Sequence, residues 1–142
     1  MEKPRSIFNF EKFYIAGFLI GLVSLIFNFS TSMRMIQQSG GPLAASAFEF
    51  LIFGTAVGAL IVLLFWYFIA VRASKAAKWI LTVFFVLGLL STLSSASSVP
   101  NSVLVFTLLT NLAQGIAISF LFRPDAIAWF DGDPTDAGDV FD

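Results

Sequence analysis

Charged residues are unevenly spaced along this chain, and long uncharged runs lie between them. One run of twenty-two residues, from Phe50 to Val71, lies between Glu49 and Arg72. An α-helix rises about 1.5 Å per residue, so a helix of this length would measure roughly 33 Å, which is enough to cross a hydrocarbon core of about 30 Å. Residues 13–33 form a second uncharged run, of twenty-one residues. Both runs therefore predict membrane-spanning α-helices.

The second half of the chain contains a longer run, the forty-four uncharged residues from Trp79 to Phe122. As one helix it would be roughly 66 Å long, which is too long for a single crossing. The serine-rich stretch 94–102 interrupts it, and Pro100 within that stretch favours a turn between two helices. We therefore predict an all-α polytopic membrane protein with four transmembrane helices in an up-down bundle. The four predicted spans are about 13–33, 48–70, 79–96 and 103–122.

Two segments follow the fourth span. Pro124 suits the first turn of a helix, and the apolar residues after it predict a short segment, 124–130, on the membrane surface. Residues 131–142 contain five aspartates and little apolar matter, which predicts an acidic disordered tail. The chain is thus divided into a transmembrane domain, 1–130, and a tail, 131–142.

Basic residues lie almost entirely on one side of the four predicted spans. Seven of the eight Lys and Arg residues fall on one side, and Arg34 alone falls on the other. Loops that stay in the cytoplasm carry an excess of Lys and Arg, so this distribution predicts that both termini are cytoplasmic. The seven residues on that side are Lys3, Arg5, Lys12, Arg72, Lys75, Lys78 and Arg123.

Composition narrows the function mainly by what the chain lacks. Of 142 residues, 58% are hydrophobic and 12% are charged, whereas about 25% are charged in a soluble domain. The net charge of −1 gives no reason to expect nucleic-acid binding. The absence of Cys excludes disulfides and thiolate metal sites, and the absence of His removes imidazole ligands and the usual general base. We expect no enzyme activity, and no catalytic, cofactor-binding or metal-binding residues.

Small residues recur at helical spacing in three of the predicted spans. Such stripes allow the backbones of transmembrane helices to approach closely. They predict helix packing within the bundle, and they also suit a homo-oligomer or a larger membrane complex. The glycines concerned are the GxxxG pairs Gly17/Gly21 and Gly54/Gly58, and Gly88 in the third span.

One acidic residue touches the apolar spans, at the start of the second. Glu49 precedes Tyr67 by eighteen residues, or roughly 27 Å of helix, which puts it near the outer boundary of the hydrocarbon core. A tight turn centred near Gly40 would bring Arg34 within reach of it. Two interpretations of Glu49 remain open. It is an interfacial carboxylate that is hydrated or paired with Arg34, or it has a functional role, as ionisable residues in membrane spans often do.

The fourth span has the most polar middle. Thr107, Thr110, Asn111 and Gln114 recur at i, i+3, i+4 and i+7, so they share one helix face. Asn111 lies roughly 12 Å inside the span, near the midplane, where an unpaired amide costs several kcal/mol. Two interpretations remain open. The amides either hold helices together through hydrogen bonds or form the polar wall of a substrate path.

A family resemblance rests on the end of the fourth span and the segment after it. The phrase FLFRPDAIAWF resembles the closing phrase of many small, functionally uncharacterised bacterial inner-membrane proteins with four helices. The resemblance covers Arg123–Phe130 and implies a bacterial inner-membrane location without an activity. Size and span count are also similar to small multidrug transporters, but that family carries an essential Glu deep in its first span, and this first span has none.

These features predict a multi-pass protein of the cell membrane whose role is that of an accessory, scaffold or interaction subunit. Its expected partners are membrane lipid and either a second copy or a larger membrane complex, with no nucleic acid. The alternative is a small transporter or channel. In that case Thr107, Asn111 and Gln114 line the path and Glu49 lies near its outer mouth.

Overall fold

A computed structural model of the chain describes residues 3–38, 40–41 and 46–132. In those residues the regular structure is entirely α-helical and consists of six helices. Four of them are long and apolar enough to cross a membrane, which is compatible with a multi-pass membrane protein and confirms the predicted all-α class. The helices are α1 (Arg5–Phe27), α2 (Phe29–Gln38), α3 (Ala47–Ala70), α4 (Lys75–Ser95), α5 (Asn101–Phe120) and α6 (Pro124–Asp131).

The first uncharged run does not form one helix, because Asn28 interrupts it. The side-chain Nδ2 of Asn28 donates a hydrogen bond to the carbonyl oxygen of Ser24 at 3.1 Å, and the Asn28 backbone N–H donates to the same oxygen at 2.9 Å. Asparagine side chains compete in this way with the helical backbone. The side-chain oxygen of Asn28 also accepts from Ser102 Oγ at 2.9 Å, so the break is tied to α5.

Apart from the start of the first helix, the other long helices begin and end within a few residues of the predicted spans. The first helix begins at Arg5, ahead of the predicted start at Phe13, because charged residues are compatible with a helix outside the hydrocarbon core. Pro4 precedes it with an extended backbone conformation. Of the predicted tail, Asp131 ends α6 and Gly132 follows it with a left-handed conformation. Residues 133–142 lie outside the described part of the chain.

The four long helices form a bundle in which each has two long neighbours. The most extensive packing is between α1 and α5, and α1 also contacts α3. On the other side α4 contacts both α3 and α5. The shorter α2 packs on α1 and α3, and α6 packs on the beginning of α1.

The buried core is concentrated at one end of this bundle. It gathers the beginnings of α1 and α4, the ends of α3 and α5, and one side of α6. The seven basic residues grouped by the charge pattern belong to these same parts of the chain, so we call this the basic end and the opposite one the distal end. Core side chains at the basic end include Ile7, Phe10, Tyr14, Ile69, Leu81, Leu121 and Phe130.

Between the two ends, the outer faces of the helices are apolar and exposed. The most apolar stretch of α3 is only 6% buried, against 17% in each of the other three long helices. Phe53 on α3, for example, is 70% exposed. Such continuous apolar surface is not stable in water, and it suits contact with lipid or with another membrane helix.

Candidate functional site

The largest gathering of the predicted site residues surrounds a groove between α1, α3 and α5. The groove has a volume of about 370 Å³ and is open to the outside of the bundle. We call it the small-residue groove, because glycine, alanine and threonine form much of its wall. Its smaller and polar lining residues are Gly17, Gly21, Thr55, Gly58, Thr110 and Gln114.

The glycines that the sequence singled out occupy two different environments. A Cβ atom at Gly17 would lie 2.9 Å from Gln114 Nε2 and 3.4 Å from Ala113 Cβ, so this glycine allows α1 and α5 to approach closely. At Gly21 and Gly58 a Cβ atom would meet nothing within 4 Å, and these two form part of the open wall of the groove. Gly54 and Gly88 are exposed on helix surfaces and have equally open surroundings.

A close glycine contact that the sequence analysis missed lies between α4 and α5. A Cβ atom at Gly115 would lie 3.2 Å from the Phe85 ring, closer than ordinary contacts allow. Gly115 follows Asn111 by four residues, so it lies on the same polar face of the helix. That spacing was the available signal, and it could have identified this glycine.

The two amides of the fourth span bind neighbouring helices. Asn111 Nδ2 donates to Thr92 Oγ1 on α4 at 3.1 Å, and the Thr92 hydroxyl donates to the Gly88 carbonyl at 2.9 Å. Gln114 Nε2 donates to the Tyr14 carbonyl on α1 at 3.4 Å. Two of the helices that contact α5 are therefore joined to it by an amide near the middle of the bundle.

The three residues of the predicted path open onto different spaces. Thr107 donates to the Val103 carbonyl of its own helix at 2.8 Å and lines a cavity of about 170 Å³ at the distal end, beside Met35. Asn111 lines a separate apolar cleft between α4 and α5. Gln114 lines the small-residue groove. The three residues therefore share one helix face but line three separate spaces, whereas a single path would require them to line the same one.

Glu49 and Arg34 lie at the distal end, on α3 and α2, and both side chains are exposed. Glu49 is in the first turn of its helix, where a negative charge is favourable. Within the described ranges, the ion pairs are Lys3 with Glu11 and Lys75 with Asp131. Arg34 and Glu49 do not form a third.

At the basic end, α6 supplies the cap that the first helix otherwise lacks. Pro4 provides no side-chain cap to α1. Instead the carboxylate of Asp125 accepts a hydrogen bond from Ser6 Oγ at 2.7 Å and one from the Ser6 backbone N–H at 3.1 Å. This N–H is one of the donors that a helix leaves unsatisfied at its beginning, and a carboxylate there is also favoured by the helix dipole.

The cap controls the ionisation of Asp125, which lies outside the four long helices. Partial burial acts to raise the pKa of this carboxyl group. Hydrogen bonds from the hydroxyl and backbone N–H of Ser6, and from the backbone N–H groups of Ala126 and Asp125 itself, outweigh that effect and leave the pKa below its usual range. The carboxylate therefore stays charged at neutral pH and keeps both bonds to Ser6.

No family model, curated protein or solved structure matches this chain. The resemblance at Arg123–Phe130 to small bacterial inner-membrane proteins therefore stays a prediction. Any role for the groove or for the basic end has to be argued from the geometry of the residues themselves.

A second unexpected arrangement at the basic end surrounds Lys78, at the beginning of α4. Its side chain is only 7% exposed. The ammonium lies 5.8 Å from the ring centroid of Trp79, 5.0 Å from that of Phe122 and 4.9 Å from that of Phe130. Such cation–π contacts are worth about 2 kcal/mol when the cation is desolvated. From the sequence, Lys78 was interpreted only as one of the basic residues that indicate the orientation of the spans. Its contacts with Phe122 and Phe130 could not be predicted, because these residues are distant in sequence.

A further polar contact at the basic end joins α1 to α3. Glu11 on α1 accepts a hydrogen bond from Trp66 Nε1 on α3 at 2.9 Å and pairs with Lys3 Nζ at the same distance. In the described part of the chain, no three acidic, His or Cys side chains gather in a way that would hold a metal ion.

Proposed function

We propose that the protein is an accessory or scaffold subunit of the cell membrane that binds an apolar transmembrane helix in its small-residue groove. The observation that carries this proposal is the open wall formed by Gly21 on α1 and Gly58 on α3, where an added Cβ atom would meet nothing. Transmembrane helices associate through small residues of this kind, because the backbones can then approach closely. The occupant is a helix of a larger membrane complex or of a second copy of this chain.

The proposal includes an up-down arrangement of the four long helices, with both termini in the cytoplasm of a bacterial cell. Three features support it. Seven of eight basic residues belong to one end of the bundle. Asp125 and Ser6, near opposite ends of the sequence, are hydrogen-bonded to each other at that end. The closing phrase 123–130 resembles bacterial inner-membrane proteins.

Hydrogen bonding near the midplane favours this role over transport. Asn111 and Gln114 each donate an amide hydrogen bond to an acceptor on a neighbouring helix. Such interhelical bonds contribute about 0.6–2 kcal/mol each in membranes. A permeating solute would have to compete with them, whereas a scaffold benefits from the rigidity that they give.

The test of the proposal compares two glycines one turn apart on α3. Gly58→Leu fills the groove, whereas Gly54→Leu makes the same change of residue at an exposed position that does not line it. Two copies of the protein carry different tags, and purification from mild detergent uses the first tag. The purified material should contain either the copy with the second tag or a distinct membrane protein. We expect Gly58→Leu to reduce that recovery about tenfold, which corresponds to about 1.4 kcal/mol.

Gly54→Leu is expected to recover the partner as the unmodified protein does. Recovery of monomer alone from the unmodified protein would contradict the proposal. Equal losses in the two variants would also contradict it, because they would place the contact outside the groove.

The transporter alternative has one observation in its favour, the distal cavity of about 170 Å³ that Thr107 lines together with Ser91, Thr92 and Ser95. If solute passes along the fourth span, Asn111→Leu and Glu49→Gln should each reduce uptake into proteoliposomes by tenfold or more. On the scaffold proposal, neither variant differs from the unmodified protein in such an assay. Solute flux that both variants abolish would reverse the preference between the two functions.

A further inference from the structure

Lys78 combines burial with a positive charge that its surroundings compensate only in part. Removing an ammonium group from most of its contact with water is unfavourable even in a relaxed protein environment. Cation–π contacts with the rings of Trp79, Phe122 and Phe130 compensate only part of that unfavourable free energy. Within the described part of the chain, Lys78 Nζ has neither an ion pair nor a hydrogen-bond acceptor. Among the described residues, the only fully buried polar side-chain atom without a hydrogen-bond partner is Trp129 Nε1. Because Lys78 Nζ also lacks a partner and is not such an atom, it retains some contact with the surface.

Among the described residues, the charged groups that act on Lys78 are Asp131 and Lys75. Asp131 forms an ion pair with Lys75 and thus already has a cationic partner. Counted over the described part of the chain, these two ammonium groups and one carboxylate leave one positive charge in excess at this junction of α4, α5 and α6. An anion beside Lys78 would balance it.

The surface next to Lys78 is apolar and continuous along α4. Trp79 is 58% exposed, and Val83, Leu87 and Leu90 follow it as exposed residues on one side of the helix. An indole ring at the end of a membrane helix occupies the level of the lipid headgroups. The site therefore offers a cation at headgroup depth and, directly beside it, a hydrocarbon surface that extends toward the middle of the membrane.

We propose that Lys78 and Trp79 form a binding site for one anionic phospholipid. The ammonium of Lys78 binds the phosphate, and an acyl chain lies along Trp79, Val83 and Leu87. A free phosphate ion shares the anionic chemistry, but it leaves the apolar stripe unused. The proposal requires only that α4 lies in a bilayer, and it does not depend on the groove or on its occupant.

The test is native mass spectrometry of the full-length protein in detergent, with phosphatidylglycerol and phosphatidylcholine of matched chain length. We expect one phosphatidylglycerol to be retained with about tenfold preference. Lys78→Gln should reduce that preference to twofold or less, whereas Lys78→Arg should keep most of it because the charge and the ring contacts persist. The control is Arg72→Gln, which removes the same charge from an exposed residue at the same end.

Three outcomes would overturn the proposal. One is the absence of any preference in the unmodified protein. Another is an equal loss in Lys78→Gln and Arg72→Gln, which would indicate diffuse attraction to the whole basic end. The third is displacement of the lipid by millimolar inorganic phosphate that itself binds as well, because the site would then select phosphate alone. If Lys78→Gln fails to fold, Trp79→Leu replaces it and should lose phosphatidylglycerol retention at least fivefold.

Failure of this test is distinguishable from failure of the proposed function. Loss of lipid preference in Lys78→Gln leaves partner recovery unchanged, since the small-residue groove lies between α1, α3 and α5. Conversely, Gly58→Leu is expected to retain phosphatidylglycerol normally.

Discussion

Gly17→Leu is expected to destabilise the bundle by about 1–3 kcal/mol, the typical cost of inserting bulk into a packed interface. A Cβ atom at this position would already lie within 3.4 Å of Ala113 Cβ on α5, and a leucine side chain would have to push α1 and α5 apart. It would also displace Gln114 and break its hydrogen bond to the Tyr14 carbonyl. Thermal unfolding of the monomer in detergent measures the loss.

Two variants give this prediction its contrast. Gly21→Leu makes the same change one turn along α1, where a Cβ atom meets nothing within 4 Å, and it should leave the stability of the monomer unchanged. Gly17→Ala should also be nearly neutral, because the gain of about 1 kcal/mol in helix propensity offsets the loss of one interhelical bond. Equal unfolding temperatures for Gly17→Leu and Gly21→Leu would refute the close contact between α1 and α5.

Asp125→Ala is expected to release α6 from the beginning of α1. The variant leaves two donors of Ser6 unpaired, and Ser6 is only 2% exposed. Hydrogen bonds to a charged group contribute about 1.5–3 kcal/mol, and the low end applies here because the carboxylate is exposed. Hydrogen exchange should show faster exchange in α6 and at the Ser6 amide, with little change in α3 and α4. A double-mutant cycle with Ser6→Ala should return a coupling of similar size.

The pH dependence of this cap follows from the lowered pKa of Asp125. A carboxyl group whose pKa is lower in the folded protein contributes stability above its unfolded pKa of about 3.9 and loses it as the pH falls through the folded value. Protection of α6 should therefore be constant across neutral pH and decline only in acid. Asp125→Asn should not show that decline, and protection lost between pH 6 and 8 would contradict the assignment.

The helices were predictable because their signal is the spacing of charges, and the break at Asn28 was not. Residues 13–33 are uniformly uncharged, so nothing in the hydrophobic pattern separates α1 from α2. The separation depends on where the Asn28 side chain finds partners, and one of them, Ser102, is seventy-four residues away. The start of α1 at Arg5 was missed for a related reason. The predicted span was bounded by the nearest charged residue, whereas a helix can continue through charged residues.

The glycines illustrate what a local pattern can and cannot decide about a site. Gly17 and Gly21 belong to one GxxxG pair, yet one packs against α5 and the other lines an open groove. Spacing determines that both lie on one face of a helix, but the neighbour of each depends on how the helices are arranged. The surroundings of Lys78 were hidden in the same way, because its rings come from α4, from the turn between α5 and α6, and from α6.

The cap on α1 has a consequence for the order in which the chain matures. The carboxylate that caps Ser6 lies 119 residues further along the chain. All four long helices are therefore synthesised before the first of them has the hydrogen-bond acceptor for its first turn. Until then the amide groups there depend on hydrogen-bond acceptors from outside the protein. A nascent chain arrested before Asp125 should accordingly contain a first helix that frays at its beginning and becomes firm only when synthesis passes that residue.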